Sequence, residues 1–598
     1  MRKFLRRTMS TFTVTMSQRP VVMTVMLLVA LNLLVLVGAA VAAILLAPDE
    51  FDNFFHAFVD VVSFLIIPAF AADVENMALL IIANIVVVVG LVLFTGTIIA
   101  IVTTMLREFI FNKGKAKGKL NLNDHVVILR YNVEVPAILI DLMNSCREKT
   151  VLILSDKPRA YVLAELSASL ANLKVKPKGR LRLLVRQGEP SSLSELEEIA
   201  LTNASGLLIM NDSVSEGSSD QLCSADYATL KLVLNLASIN FKSRIPIGVE
   251  TSTIGAADIM RRLKNEIDGL HDKDIQFFSH NRKLGQFLAI AVNCPELSGV
   301  LTDLLSYKGS TFYPIERMTR ETYLMHYGLG LPTIYFDDNM FVLAESKADA
   351  TKKRSRAYKT DRVLRVSENY KKKQLLKLFI IGENKKQKYM LESLLSDNPG
   401  MQVKHYGVGE IERFATDLSR EGCSLTTAVI FSDDTVSPEK YDANVFLTLI
   451  ELSATVGIEA RPFTIVAEIL EPNNQKSLEK FNVQNIVVST KLISLFAARL
   501  LSDIKAERFY EEIFSYTSDK MNVRVSEASE IFDITEPTAF SSYAEFTHAV
   551  FNGNGKKLLP LGIIRDNKNI FFTDQDKPQK FTLKPNDKII YSKFEISE

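Results

Sequence analysis

Residues 51–76 read FDNFFHAFVDVVSFLIIPAFAADVEN. A loop that only crossed water would be polar, yet this one has a helix-like apolar face, a proline at Pro68 and acids after it. It is flanked by two longer apolar stretches, Val21–Ala47 and Met77–Leu106. Each is long enough for a helix to span about 30 Å of hydrocarbon with some tilt. Helix, dipping loop, helix is the minimal subunit of a tetrameric cation pore. One subunit has too few spanning helices to enclose a pore, so closure requires several copies around an axis.

Charge orients these segments. Arg2, Lys3, Arg6, Arg7 and Arg19 precede the first stretch, and Arg107, Lys113, Lys115, Lys117 and Lys119 follow the second. The loop between them carries Asp49, Glu50, Asp52, Asp60, Asp73 and Glu75 and no Lys or Arg. The positive-inside bias therefore puts both termini in the cytoplasm and the loop outside. The first stretch has a signal-like basic start and an AVAA near Val41, but it is longer than an h-region of roughly 7–15 residues, which favours a retained helix. Residues 1–20 are then a cytoplasmic N-terminus, 21–47 and 77–106 the spanning helices, and 48–76 the pore helix and filter loop.

The chain has 598 residues, 23% charged, with net charge +1. That length implies several domains, and the balance gives no basis for a nucleic-acid partner. Cys146, Cys223, Cys294 and Cys423 are scattered without a C-x-x-C pair, so free thiols are expected in a cytoplasmic part. The histidines are equally scattered, and a lone residue such as His125 or His280 reads as structural rather than as a ligand. No P-loop, G-x-S-x-G or H-E-x-x-H occurs, which argues against an enzyme.

After a basic, glycine-spotted gating linker (107–123) the pattern becomes α/β. The linker reads as an anchor on anionic lipid, as a tether pulling on the second helix, or as both. Short apolar runs at Val126–Leu129, Val151–Leu154, Arg182–Val185, Gly206–Met210 and Ile247–Glu250 alternate with helical segments. Such runs predict a parallel sheet covered on both faces. The pattern then repeats at Leu378–Ile381, Ala428–Phe431 and Thr464–Glu468. LLIMND matches AVIFSD, IGVET matches IVAEI, and NRKLGQFLA at Asn281 matches STKLISLFA at Ser489. Two Rossmann-like domains are expected, 124–345 and 375–598, each ending in a β-rich appendix. The stretch between them, 346–374, is charged and reads as a solvated linker.

Three segments carry a resemblance. Ala71-Ala72-Asp73-Val74-Glu75-Asn76 is similar to an Ala-Asp-x-Gly-Asn filter segment. Arg186-Gln187-Gly188-Glu189-Pro190, followed by Leu193 and Leu196, resembles an Arg-x-Gly-x-Pro segment. Phe463–Glu471 with Val487–Leu492 resembles a second-domain signature. Together with the two-helix pore, these resemble the CASTOR/POLLUX-type ion channels, whose tandem RCK domains (regulators of potassium conductance) control the pore. The resemblance implies a homotetramer with a cytoplasmic gating ring, and a bacterial relative residing in the inner (cell) membrane, in contact with lipid.

The filter segment departs from the potassium pattern. A carbonyl filter of the Thr-Val-Gly-Tyr-Gly kind needs glycine, and Pro68, Ala69, Phe70, Ala71, Ala72 and Asp73 include none. Asp73 and Glu75, next to Asn76, would form carboxylate rings that concentrate cations, K+ or Ca2+. The plainer reading is polar residues at the outer interface. Their place directly after the dipping segment favours the ring. Gly90 and Gly96 in the second helix are candidate gate hinges, although glycine is common in membrane helices.

For regulation, the first strand is followed by Arg130-Tyr131-Asn132-Val133-Glu134, without the glycines a dinucleotide needs. That argues against a dinucleotide in the first domain and leaves Ca2+ or a nucleotide as candidate regulatory ligands, with no cofactor assigned. Asp156, Arg186, Gly188, Glu189 and Asp212 in the first domain, and Asp433 and Asp434 in the second, are the candidate ligand residues. Solvated strand-end acids and helix caps are the simpler account of the aspartates. Two readings follow: a ligand-gated cation channel, or a membrane-anchored RCK-type sensor serving another transporter.

Overall fold

The computed structural model describes residues 20–67, 70, 74, 76–89, 118–145, 148–171, 179–211, 223–315, 332–337, 339–351, 360–368, 375–421, 426–433, 440–457, 463–501, 505–513, 522–555, 557–573 and 580–593. It divides into two compact bodies, Met1–Lys117 and Gly118–Glu598.

In the N-terminal body, α1 (Pro20–Leu46) contains no charged residue. α2 (Phe54–Ile66) lies in the predicted pore-helix segment and starts at Asn53, whose side chain accepts the His56 N–H at 2.9 Å. Residues 77–89 are helical, and Asn76 Oδ1 caps them by accepting the Ala78 N–H at 3.0 Å. Ala40, Ala43, Ala57, Val61, Leu79, Ile82 and Val86 pack these pieces together. Small residues at the contact let helices approach closely. Among the described residues no helix is long and apolar enough to cross a membrane. In α1 the side chains of residues 20–29, 31 and 32 lie outside the described set, and the remainder is shorter than the roughly 20 residues a crossing takes.

The second body holds the tandem repeat. The first repeat is a six-stranded parallel sheet ordered β3-β2-β1-β4-β5-β6. Its strands are β1 (His125–Leu129), β2 (Glu148–Ser155), β3 (Arg180–Gln187), β4 (Ala204–Ile209), β5 (Pro246–Thr251) and β6 (Asp274–Ser279). β1 is buried at every position, as a central parallel strand covered on both faces must be. The order reverses between β1 and β4, where Leu129 pairs with Ile209. That switch point is where ligands enter doubly wound sheets. A three-stranded antiparallel sheet, β7 (Thr311–Ile315), β8 (Thr333–Phe336) and β9 (Asn339–Ala344), forms the first appendix.

The second repeat is parallel too, with order β11-β10-β12-β13-β14. These are β10 (Lys377–Ile381), β11 (Gln402–Tyr406), β12 (Thr426–Ile430), β13 (Thr464–Ile469) and β14 (Asn485–Val488). By sheet position they correspond to β1, β2, β4, β5 and β6, so this copy lacks a counterpart of β3. Antiparallel strands at 522–593 form its appendix.

Four helices join the repeats. α3 (Val135–Ser145) packs against α6 (Ser489–Leu500), and α4 (His280–Asn293) packs against α5 (Lys386–Asp397). Each repeat thus gives the helix after its first strand to the helix after its last strand in the other. Leu284, Leu288, Met390, Leu394 and Ile493 share one buried cluster across this contact. Gly285 makes the α4–α5 approach possible: a Cβ there would stand 2.6 Å from Tyr389 Cβ and 2.8 Å from the Lys386 carbonyl.

The reading of 346–374 as a solvated linker does not extend to 360–368. Leu364 N–H donates to Ala549 O (2.9 Å) and Ser367 N–H to Ile531 O (2.8 Å). Leu364 and Val366 pack against the core of the C-terminal appendix. Apolar contacts and backbone hydrogen bonds together dock this part of the charged run.

Candidate ligand sites of the tandem repeat

Of the pore residues, Pro68, Ala69, Ala71, Ala72, Asp73, Glu75, Gly90 and Gly96 lie outside the described residues, as do Asp212 and Asp434. Phe70 is half exposed, and Asn76 is a helix cap. Asp156 is exposed at the end of β2 and accepts from the Ser155 hydroxyl at 3.2 Å. Glu189 accepts from Ser191 N (3.1 Å) and Ser191 Oγ (2.6 Å). Those two bonds, helped by the Lys231 and Arg130 charges, hold its carboxyl below its usual range against the effect of burial.

Arg186 serves a different purpose. Its buried guanidinium pairs with Glu195 (3.3 Å) and Glu198 and donates to Gly118 O at 2.9 Å. Gly188 leaves room beside that pair, since a Cβ would meet Glu195 Oε2 at 2.8 Å. Leu120 N–H donates to Glu198 O (2.7 Å) and Asp124 N–H to Asn203 O (3.1 Å). Arg186, at the start of the Arg-x-Gly-x-Pro segment, with the carbonyls of Glu198 and Asn203, thus clasps residues 118–124 against the first repeat. The side chains of Asp156, Arg186 and Glu189 each engage different partners. Asp433 lies in the other repeat, accepting from Asn444 Nδ2 at 3.3 Å.

The polar centres of both repeats lie at strand ends the sequence reading passed over. In the second repeat Glu468, at the end of β13, is fully buried. Its Oε1 accepts from Lys386 Nζ at 2.6 Å, and its Oε2 from Asn384 Nδ2 (2.6 Å) and Ser432 Oγ (3.1 Å). Lys386 is itself fully buried. The carboxylate is fully paired, as a charge taken from water must be. Asn384 Oδ1 accepts the Lys386 N–H at 3.1 Å and fixes the turn.

The first repeat copies this frame. Asn132 Oδ1 accepts the Glu134 N–H at 3.2 Å, and Asn132 Nδ2 donates to Glu250 Oε2 at 3.3 Å. Asp226 Oδ1 holds Asn211 Nδ2 (3.0 Å) and Ser252 N (2.9 Å), as Asp442 holds Leu470 N (2.9 Å) and Glu471 N (3.1 Å) in the second repeat. Asn132 thus matches Asn384, Glu250 matches Glu468, and Asp226 matches Asp442. The departure is at the lysine: Glu134 stands where Lys386 stands in the second repeat. His280 Nδ1 lies 2.8 Å from Glu250 Oε1 and 3.7 Å from Glu134 Oε1. Burial, then the Glu250 carboxylate, push the Glu134 carboxyl well above its usual range, while the Lys386 ammonium opposes them. Among the described residues, Glu134, Glu250 and His280 form the one trio of metal-capable side chains whose ligand atoms all lie within 4.8 Å of one another. His280 is therefore not a lone histidine, since its ring lies beside two buried carboxylates. His125 keeps that role, with Nε2 3.2 Å from Ile199 O.

The switch points differ as well. In the second repeat a cavity of about 390 Å³ opens beside Gly382, His405, Gly407, Asp433 and Asn444. Gly382 has φ +83°, and its absent side chain keeps the backbone accessible. In the first repeat the matching residue is Arg130, also at positive φ (+70°). Its buried guanidinium donates to Thr229 Oγ1 at 2.8 Å and Met210 O at 3.4 Å. An arginine thus stands where a dinucleotide-binding turn carries glycine.

Two parallel Rossmann-like sheets, helix-exchanged across one contact and each followed by an antiparallel appendix, define the RCK gating-ring class of fold. The human SLO3 gating ring matches 79% of this chain over its whole length, with TM-score 0.52 and 13% identity, a likeness of fold alone. The GsuK channel aligns over 96% of the chain at TM-score 0.39 and 14% identity. No protein-family model matches the chain. In sequence it resembles plant ion channels: "Probable ion channel CASTOR" of Oryza sativa subsp. japonica, 20% identical over 228 residues, and "Probable ion channel SYM8" of Pisum sativum, 20% over 245. These matches cover 38% and 40% of this chain and 24% and 25% of those proteins, so the chain spans about a quarter of the length of the relatives it matches. The proteins it resembles are ion channels and not enzymes.

Proposed function

We propose that this chain is the subunit of a ligand-regulated cation channel, embedded in a membrane with both termini in the cytoplasm and assembled as a homotetramer. The observation that carries the reading is the apolar, acid-capped segment 51–76 between two membrane-length apolar stretches, joined to a tandem repeat of gating-ring fold. Exposed Leu34, Leu45, Phe55 and Met77 (69–74% accessible) support it, because apolar side chains on an outer face suit lipid or a neighbouring subunit. Asp73 and Glu75 would ring the pore mouth and draw in K+ or Ca2+. A nucleotide or Ca2+ in the cavity beside Gly382 and Asp433 would bias the contact between repeats. The clasp of 118–124 by Arg186 would pass that bias through residues 107–117 to the second spanning helix.

The test is reconstitution into bilayers, with reversal potentials under K+, Na+ and Ca2+ gradients. Cation current that responds to ligand is expected, with permeability ratios that change in Asp73→Asn. Absence of current under every ligand condition overturns the reading. Unchanged ratios in the variant remove Asp73 from selectivity.

A further inference from the structure

We propose that Glu134, Glu250 and His280 form a binding site in the first repeat for a divalent transition-metal cation of the zinc or manganese class. The site stands apart from the channel reading, because it is argued from the repeat alone.

The second repeat states what this position requires. Glu468 Oε2 is satisfied by Asn384 and Ser432, and its Oε1 by the Ser489 hydroxyl together with a tethered cation, Lys386 Nζ, at 2.6 Å. In the first repeat Glu250 Oε2 is satisfied in the same way, by Asn132 Nδ2 (3.3 Å) and Asn211 N (3.0 Å). Its Oε1 meets His280 Nδ1 at 2.8 Å, as Glu468 Oε1 meets Ser489, but at the place of the lysine the first repeat has Glu134. Where the second repeat has one carboxylate and one ammonium, the first has two carboxylates. Glu134 has no accessible surface, and neither of its oxygens takes a hydrogen bond. Buried carboxylates left so are costly unless neutralised.

His280 supplies the third ligand. Ligand atoms about 2.0–2.2 Å from one tetrahedral ion lie about 3.4 Å from one another. The separations of 2.8 Å and 3.7 Å from Nδ1 to the two carboxylates straddle that value. One imidazole nitrogen with two carboxylates suits zinc, manganese and their neighbours, whereas calcium and magnesium prefer oxygen alone. Glu250 is already oriented by Asn132 and Asn211, as outer partners orient metal ligands. Glu134 precedes α3 and His280 begins α4, the two helices the first repeat gives to the second. An ion shared by them ties both ends of that contact.

The experiment uses the full chain in detergent, stripped with chelator and titrated calorimetrically with Zn2+, Mn2+ and Ca2+. One Zn2+ per chain is expected, with Mn2+ weaker and Ca2+ weakest. Glu134→Gln should lower Zn2+ affinity at least about 100-fold, the upper end of the loss from removing a mere outer partner. Glu134→Lys should abolish binding while melting no lower than the stripped wild type, since it installs the arrangement of the second repeat. With Mn2+ bound, pulsed electron paramagnetic resonance should show an imidazole nitrogen that disappears in His280→Gln. A wild type that titrates neither Zn2+ nor Mn2+, variants that bind like the wild type, or a preference for Ca2+ overturns the proposal. None of these readouts depends on current, so failure here and failure of the channel reading are separable.

Discussion

The two repeats share a polar skeleton and differ in what they place on it. Both use an asparagine in the turn between the first strand and its helix to shape that turn and hold a buried glutamate. Both set a buried aspartate against the loop after that glutamate's strand. The second repeat closes its centre with Lys386 and leaves the switch point open at Gly382. The first leaves its centre acidic with Glu134 and fills the switch point with Arg130. Backbone-shaping residues are thus common to both copies, while charge and access are where they diverge. One scaffold thereby presents a closed ion pair on one side and an acid–imidazole centre on the other.

The sharpest way to break this comparison is Lys386→Met. Removing one partner of a buried pair strands the other charge and costs about 3–5 kcal/mol. Asn384, Ser432 and Ser489 still donate to Glu468, which favours the lower end. Denaturant unfolding of the full chain should show the loss. A variant within about 0.5 kcal/mol of wild type, the range of a neutral surface change, would mean that Lys386 is not the neutralising cation, and the contrast with Glu134 would lose its reference.

A second test bears on the helix exchange. Gly285 and Ile493 hold the same place in NRKLGQFLA and STKLISLFA, yet one is a glycine under Lys386 and Tyr389 and the other a buried isoleucine. Gly285→Ala puts a methyl where backbone already stands, and overpacking of this kind costs about 1–3 kcal/mol. Faster hydrogen exchange in α4 and α5 than in α3 and α6 would localise the damage. Equal change in both pairs would show that the contact yields as one piece.

The fold was largely legible because central parallel strands are apolar on both faces. Val126–Leu129, Gly206–Met210, Leu378–Ile381 and Ala428–Phe431 stand out as continuous runs for that reason. The strands that escaped notice, β6, β11 and β14, lie at sheet edges. In β11 polar residues intrude, in the exposed and half-buried pattern of Gln402–Tyr406, whereas β6 and β14 stay mostly buried and offer only two or three consecutive apolar residues. The candidate centre was illegible for another reason. Residues 134, 250 and 280 have no local spacing, and the sheet alone brings them together. One signal was present: extending the repeat alignment to Asn132 and Asn384 sets Glu134 opposite Lys386. The sequence offers Arg186 as a ligand residue, but its partners at 118, 195 and 198 make it a clasp.

The smallest expected effect tests the first residue of each central strand. His125 begins β1 where Lys377 begins β10; the histidine is fully buried and the lysine half-buried. Nε2 of His125 faces Ile199 O, while Nδ1 has no hydrogen-bond partner. Protonation would bury a charge and an unpaired N–H, so burial pulls the His125 pKa below its ordinary 6.5, against smaller upward pulls from Ile199 and Asp124. With a folded pKa below the unfolded one, the unfolded chain binds more protons between the two values. The stabilisation is therefore full above pH 6.5 and is lost as pH falls through the folded value. His125→Gln keeps a donor for Ile199 O and cannot ionise. Its melting temperature should fall less steeply than that of wild type below pH 6.5, by less than either preceding variant shifts stability. Parallel curves would show that the β1 end admits water on acidification, and that the two strand starts differ in residue type but not in environment.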